Sequence, residues 1–268
     1  MNRALAECGL DPVDARALLR CVVGADDAYL IVHGDEGLPD VQRDLFSSLV
    51  RRRTAGEPVA YITGSREFFS LAFKVTPAVL IPRPETELLV EFALARIKPD
   101  HSERVLDLGT GSGCIAISIA RERPLAQIFA LDVSEAALAV ARENAWNHGV
   151  ANLELLQSDW FKALAGRRFD LIVANPPYVA AADPHLEGEL RYEPQSALVA
   201  ANNGRACIEL IIGEARQYLN EGGWLAFEHG YDQSVYCRDL LAKAAYARVF
   251  SRVDLAGYER VSGGQHLR

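Results

Sequence analysis

The chain has 268 residues, half of them hydrophobic and 24% charged, the balance expected of a globular protein built from one large domain and one small one. A formal net charge of −8 argues against a protein that grips bare nucleic acid, which would present clustered Lys and Arg to the phosphates. No apolar run reaches the length of a membrane span, and the start, MNRALAECGLDPVDAR, lacks the cationic, apolar and small-residue blocks of a secretory signal, so a cytoplasmic location is expected.

Residues 1–66 read as a small helical domain. Asp11 is placed to cap a helix with Pro12 in its first position, followed at helical spacing by Val13, Ala17, Leu18 and Cys21. A second helix, LPDVQRDLFSSLVRRR, sets Val41, Leu45, Phe46 and Leu49 on one face, and the run Arg51-Arg52-Arg53 suits its C-terminal dipole. Over 67–83, EFFSLAFKVTPAVLIP is rich in aromatic and β-branched residues and broken by Pro77, which predicts a β-hairpin linker. Helical spacing returns in ETELLVEFALARI, and a third domain, 84–268, then alternates. Strands are expected at about 104–109, 126–133, 152–159, 169–176 and 223–230, helices at about 113–122, 134–148, 204–219 and 232–244, and a closing hairpin turns at Ala256-Gly257. Such alternation predicts an α/β fold, a mostly parallel sheet with helices on both faces and an antiparallel strand from the last hairpin. The five cysteines contain no C-x-x-C pair and read as reduced, mostly buried thiols. The six histidines show no H-x-x-x-H spacing, so no metal site is expected.

In parallel sheets, ligands sit outside the carboxyl ends of strands, which selects the residues to compare. VLDLGTGSG places Gly109, Thr110, Gly111 and Gly113 directly after a strand, where glycine allows a tight turn and close backbone approach. The spacing is G-x-G-x-G, not the G-x-G-x-x-G of dinucleotide sites, and a turn serving strand-to-helix geometry alone is the competing account. Asp132 ends the next strand, where a carboxylate can take both hydroxyls of a ribose. Asp159 ends the one after and is followed by Trp160 and Phe161, suited to hold and flank an adenine. Asp107 lies inside the first strand, towards the amino-acid end of the same ligand, although a cap or turn role is as good an account of it. Without a P-loop lysine, these groups fit a nucleoside with a cationic tail, which is S-adenosylmethionine.

At the fourth strand end stands Asn175-Pro176-Pro177-Tyr178. The Asn175 side-chain oxygen and the Pro176 carbonyl can each accept an N–H from a planar nitrogen, the prolines stiffen the corner, and Tyr178 can stack on the flat group. The order of motifs resembles the class I S-adenosylmethionine-dependent methyltransferases. EPVAYITGSREFFSLAFKVTPAVLIPRPETELLVE, followed by VLDLGTGSG and NPPY, resembles the release-factor glutamine methyltransferases, called PrmC or HemK, over nearly the whole chain. The resemblance implies a Rossmann-like domain with a seven-stranded sheet. It also implies methylation of the glutamine N5 in the Gly-Gly-Gln motif of peptide chain release factors by a monomer, with S-adenosylhomocysteine as product. By the same resemblance Asn175, Pro176, Pro177 and Tyr178 hold the glutamine, Gly109, Gly111, Asp132, Asp159 and Asn175 hold the cofactor, IPRPETE (81–87) lines the mouth, and the helical domain docks the protein substrate.

Three other readings share these residues: a methyltransferase for a ribosomal-protein glutamine, a nucleic-acid adenine methyltransferase, which the acidic charge disfavours, and a non-catalytic adapter, which the intact corner disfavours. The chain also carries Gly263-Gly264-Gln265 near its end, read as a coincidence in a strand.

Overall fold

The computed structural model describes residues 1–267. They form two compact units, Met1–Ser65 with Glu187–Tyr192, and Arg66–Leu186 with the chain from Glu193 onward. The first unit holds α1 (Asn2–Glu7), α2 (Pro12–Val23), α3 (Asp27–Val32), α4 (Asp40–Thr54) and α5 (Val59–Thr63). α2 begins as its sequence dictates, with the Asp11 carboxylate accepting the Val13 N–H at 2.8 Å and Pro12 at the position that needs no donor. Leu18, Leu19, Val22, Phe46, Leu49 and Ile62 meet in its core.

The buried faces differ from those read off the sequence. In α2, Val13 and Cys21 are exposed while Ala15, Leu19 and Val22 turn inward, and in α4 Val41 and Leu45 stand in solvent beside buried Phe46 and Leu49. Both helices carry apolar residues on more than one stripe, so the neighbouring helices choose which stripe is covered. The cysteines are also less buried than expected: only Cys114 and Cys237 are buried, and Cys21 is exposed. In the basic run, Arg52 pairs with Glu57, and Arg53 pairs with Asp14 and Glu189.

In the second unit, β1 (Ser65–Phe68) and β2 (Leu71–Lys74) form a two-stranded sheet, with Phe69 and Ser70 turning at φ of 50° and 59°. Phe68 and Phe73 are fully buried in the core of this unit, so the hairpin is part of its packing. There follow α6 (Glu87–Leu94), β3 (Arg104–Leu108), α7 (Cys114–Glu122), β4 (Gln127–Asp132), α8 (Glu135–Asn147), β5 (Leu153–Gln157), β6 (Phe169–Ala174), the one-turn α9 (Ala201–Gly204), α10 (Ala206–Ala215), β7 (Leu219–Glu228), α11 (Ser234–Lys243), β8 (Ala247–Val253) and β9 (Glu259–Gln265). Seven strands form one sheet in the order β5-β4-β3-β6-β7-β9-β8, parallel from β5 to β7, with β9 antiparallel to both neighbours. Alternate residues feed two cores: Val105, Ile128 and Val173 face α6 and α7, while Leu106, Leu131 and Ile172 face α10 and α11. One boundary departs from expectation. The helix foreseen to residue 219 ends as α10 at Ala215, and β7 starts at Leu219, bulging against β6 before Trp224.

Gly263-Gly264-Gln265 lies within β9, paired on one side with Ala226, Leu225 and Trp224 and on the other with Phe250 and Ala247. A Cβ on Gly263 would fall 2.1 Å from the Leu225 carbonyl oxygen and 2.7 Å from the Phe250 ring, so the glycine is required by close approach. Gly263→Ala is expected to cost about 3 kcal/mol of stability by overpacking, measured by urea denaturation, whereas Gly257→Ala, in open space, strains only its backbone (φ 86°) and costs about 1 kcal/mol. Pairing on both sides, with Gln265 Nε2 donating to the Gly222 carbonyl at 2.8 Å, predicts that Gln265 stays unmodified by mass spectrometry after incubation with S-adenosylmethionine.

Candidate active site

The chain runs from β3 outward through β4 to β5 and then returns to the other side of β3 as β6, so β3 and β6 flank the point where the sheet order reverses. A cleft of about 420 Å³ opens at the carboxyl ends there, within the size range of small-ligand sites. Its wall includes Gly109, Thr110, Gly111, Asp132, Asp159, Trp160, Asn175 and Pro177. Asp107, Gly113, Pro176, Tyr178 and Phe161 are not among the residues that line it.

Each residue's place has a local cause. The turn after β3 is held by the Thr110 N–H donating to the Leu131 carbonyl (2.8 Å) and the Gly113 N–H to the Thr110 carbonyl (2.8 Å), with Gly109, Gly111 and Gly113 at φ of 71°, 56° and 82°. Cβ atoms on Gly109 or Gly111 would meet no protein atom, whereas one on Gly113 would fall 2.8 Å from Ile117 and 3.2 Å from Ala141. The first two glycines therefore leave room on the cleft side, and the third seats the turn against α7 and α8. Asp132 is fixed by two backbone donors, the Gly111 N–H to Oδ2 and the Ser134 N–H to Oδ1, each at 2.9 Å. Trp160 sits at φ 50°, a conformation disfavoured for a bulky residue, and the Ser158 hydroxyl holds it by donating to the Trp160 carbonyl at 2.8 Å. Phe161 does not flank the ligand site as the sequence suggested. It is 1% exposed and stacks on Tyr218 at 4.7 Å, because the left-handed turn at Trp160 sends the two rings to opposite sides.

The segment 81–87 and the loop near Pro194 form another part of the wall. Buried Glu193 accepts the Ile81 N–H at 2.9 Å and pairs with Arg83, which clamps the two together. Asn144, also buried, accepts the Lys74 N–H and donates to the Lys74 and Ser112 carbonyls, tying the hairpin to the glycine turn.

Two more side chains stand beside the Asn-Pro-Pro corner: Thr86, within the segment 81–87 expected at the mouth, and Glu228, which the sequence motifs did not single out. Thr86 lines the cleft and accepts from Asn175 Nδ2 (3.1 Å), and the Thr86 hydroxyl donates to Glu228 Oε2 (2.6 Å). Tyr178 donates its hydroxyl to Glu228 Oε1 (3.0 Å). Burial raises the Glu228 carboxyl above its ordinary range, with Glu85 adding to this and the Thr86 and Tyr178 hydrogen bonds and Arg260 opposing it. The signal was present in LAFEHG, a carboxylate at the end of an apolar strand next to β6.

A sheet of this order, with a glycine turn after its first strand and an acidic end on the second, defines a class I S-adenosylmethionine-dependent methyltransferase fold. Solved structures that share it include a methyltransferase from Pyrococcus furiosus (TM-score 0.58, 19% identity, 83% of this chain and 100% of that one). A 16S rRNA N2 methyltransferase from T. Thermophilus in complex with AdoMet and guanosine shares it as well (TM-score 0.57, 22% identity, 76% of this chain and 50% of that one). The Methyltransferase small domain family matches residues 84–193, and the PrmC N-terminal domain family matches residues 2–64. The Release factor glutamine methyltransferase of Burkholderia pseudomallei is 52% identical over 263 residues, 96% of this chain and 92% of that protein. The protein of the same name from Escherichia coli is 46% identical over 256 residues, 95% of this chain and 92% of its own length. The chain belongs to the release factor glutamine methyltransferase family.

The Asp107 carboxyl, fully buried under the turn, accepts the Thr110 hydroxyl on Oδ2 at 2.6 Å, and its Oδ1 has no hydrogen-bond partner among the described residues. Burial pushes it up to about 7, Asp132 adds in the same direction, and the Thr110 hydrogen bond opposes. Between its ordinary 3.8 and that value the folded protein holds a proton that the unfolded chain has lost. This group therefore makes stability fall as pH rises from about 4 to about 7, by at most about 1.4 kcal/mol per pH unit. Asp107→Asn is expected to flatten that slope, measured as denaturation midpoints of the unliganded protein across the range.

Proposed function

We propose that this chain transfers a methyl group from S-adenosylmethionine to the side-chain amide nitrogen, N5, of the glutamine in the Gly-Gly-Gln motif of peptide chain release factors, and so modulates translation termination. Family membership supports the substrate. The observation that carries the chemistry is that the glycine turn and the Asn175-to-Pro177 corner share one cleft. When bound, S-adenosylmethionine supplies a methyl on a positively charged sulfur that departs as the neutral thioether of S-adenosylhomocysteine, and one amide N–H proton passes to water after the methyl arrives, so the transfer calls for neither a metal nor a strong base.

The residues divide the work. Asp132 takes the ribose hydroxyls, since each of its oxygens keeps a lone pair beyond the backbone N–H that fixes it. Gly109, Thr110 and Gly111 offer backbone to the amino-acid end, with Asp107 holding Thr110 from behind and Gly113 seating the turn. Asp159 and Trp160 take the adenine. An amide nitrogen is a poor nucleophile because its lone pair is delocalised into the carbonyl. The Asn175 side-chain oxygen and the Pro176 carbonyl accept its two N–H groups, which orients the nitrogen and offsets the positive charge that grows on it. Pro176 and Pro177 stiffen the corner, and Pro177 and Tyr178 bracket the flat amide. The helical domain, residues 1–66, docks the release factor, and the enzyme acts as a cytoplasmic monomer without direct contact to nucleic acid.

The test is transfer of labelled methyl to release factor, to release factor with its Gly-Gly-Gln glutamine replaced by alanine, to ribosomal protein and to DNA. Label is expected in intact release factor alone, and equal labelling of the replaced factor overturns the proposal. Asn175→Ala is expected to lower kcat roughly 100- to 1000-fold with cofactor affinity changed far less, as for loss of a group that acts on charge in the transition state.

A further inference from the structure

Either end of an asparagine amide fills the same space, but only the oxygen can accept a substrate N–H. If the nitrogen of Asn175 faced the substrate amide, two donors would confront each other. Something must therefore choose the end, and the choice is legible in the hydrogen bonds behind Asn175.

Glu228 and Thr86 are 1% and 2% exposed, so water does not supply their partners. In its carboxylate form, the form in which both oxygens accept a hydroxyl hydrogen, Glu228 has no hydrogen to give. It takes the single hydroxyl hydrogen of Thr86 on Oε2 and that of Tyr178 on Oε1. Thr86 then has only lone pairs left for its other neighbour, which must be the amide nitrogen of Asn175, at 3.1 Å. The Asn175 oxygen is left on the opposite side of the amide, free to accept. We propose that Glu228, acting through Thr86, is the positioning residue that sets which end of the Asn175 amide meets the substrate. This rests on the methyl-transfer reading of the corner and adds to it the polarity of a four-residue chain, Tyr178–Glu228–Thr86–Asn175.

A glutamine at 228 has the same shape and the opposite polarity. Its oxygen still accepts from Tyr178, but its nitrogen donates to Thr86. The Thr86 hydrogen is thereby released to the Asn175 oxygen, and the amide turns to present its nitrogen to the substrate.

The experiment measures kcat, KM for the protein substrate, cofactor Kd and Tm for wild type, Glu228→Gln, Thr86→Ser, Thr86→Val and the double variant Thr86→Val with Glu228→Gln. We expect Glu228→Gln to lower kcat roughly 10- to 100-fold while KM, cofactor Kd and Tm stay near wild type, because only the charge-bearing contact is inverted. Thr86→Ser keeps the hydroxyl and stays within about threefold of wild type, Thr86→Val falls as Glu228→Gln does, and the double variant is no slower than Thr86→Val, since the relay is already cut. Near-normal kcat for Glu228→Gln, or losses that multiply in the double variant, would overturn the proposal. Should Glu228→Gln fail to fold, equal kcat for Thr86→Ser and Thr86→Val sinks it, and retention in Ser with loss in Val supports it. Wild-type transfer to ribosomal protein in place of release factor would overturn the substrate assignment alone, and the same variants are then read on that protein.

Discussion

Parallel pairing of β3 with β6 sets Leu108 opposite Ala174, so the glycine turn that follows one strand and the Asn-Pro-Pro corner that follows the other leave the sheet side by side. The crossovers from that point go to opposite sides, from β3 to β4 and β5 on one and from β6 to β7 on the other. The cleft and the meeting of cofactor-side and substrate-side residues follow from that reversal of order.

Around the cleft, buried polar side chains fix loops that have no ladder of their own. Asn144 ties the glycine turn to the hairpin, Glu193 ties 81–83 to the Pro194 loop, and Glu228 ties Thr86 to Tyr178. Leaving any one of these groups unpaired would cost about 1–3 kcal/mol, which makes each a stiff link with few alternatives. The position of Asn175 is thus determined from several elements at once, by backbone through β6 and by side chain through Thr86.

Strain reaches the cleft wall at one residue. Trp160 holds a left-handed backbone without glycine's freedom, and Ser158 sustains it through one hydrogen bond to Trp160 and another from the Ala163 N–H. The result is an indole on the cleft wall and Phe161 in the core, a division of labour between adjacent aromatics that fixes which of them can meet a ligand.

The sequence by itself determined the α/β alternation, the glycine turn, the strand-end aspartates and the NPPY corner, because each is a local pattern: a hydrophobic period, a set of turn residues, a stretch that can be compared with a family. It also located the closing hairpin's turn at Ala256-Gly257, where Asp254 caps the turn through the Ala256 and Tyr258 N–H groups. Only the tertiary structure decided which stripe of α2 and α4 is buried, which ring after Asp159 faces the cleft, and that Gly263 must be glycine to clear the Leu225 carbonyl. It alone joined Thr86, Glu228 and Tyr178 to Asn175 across separations of up to 142 residues. Such partnerships have no period or spacing in the chain, because a hydrogen bond between distant segments is set by where the sheet brings their ends together, not by the residues between them.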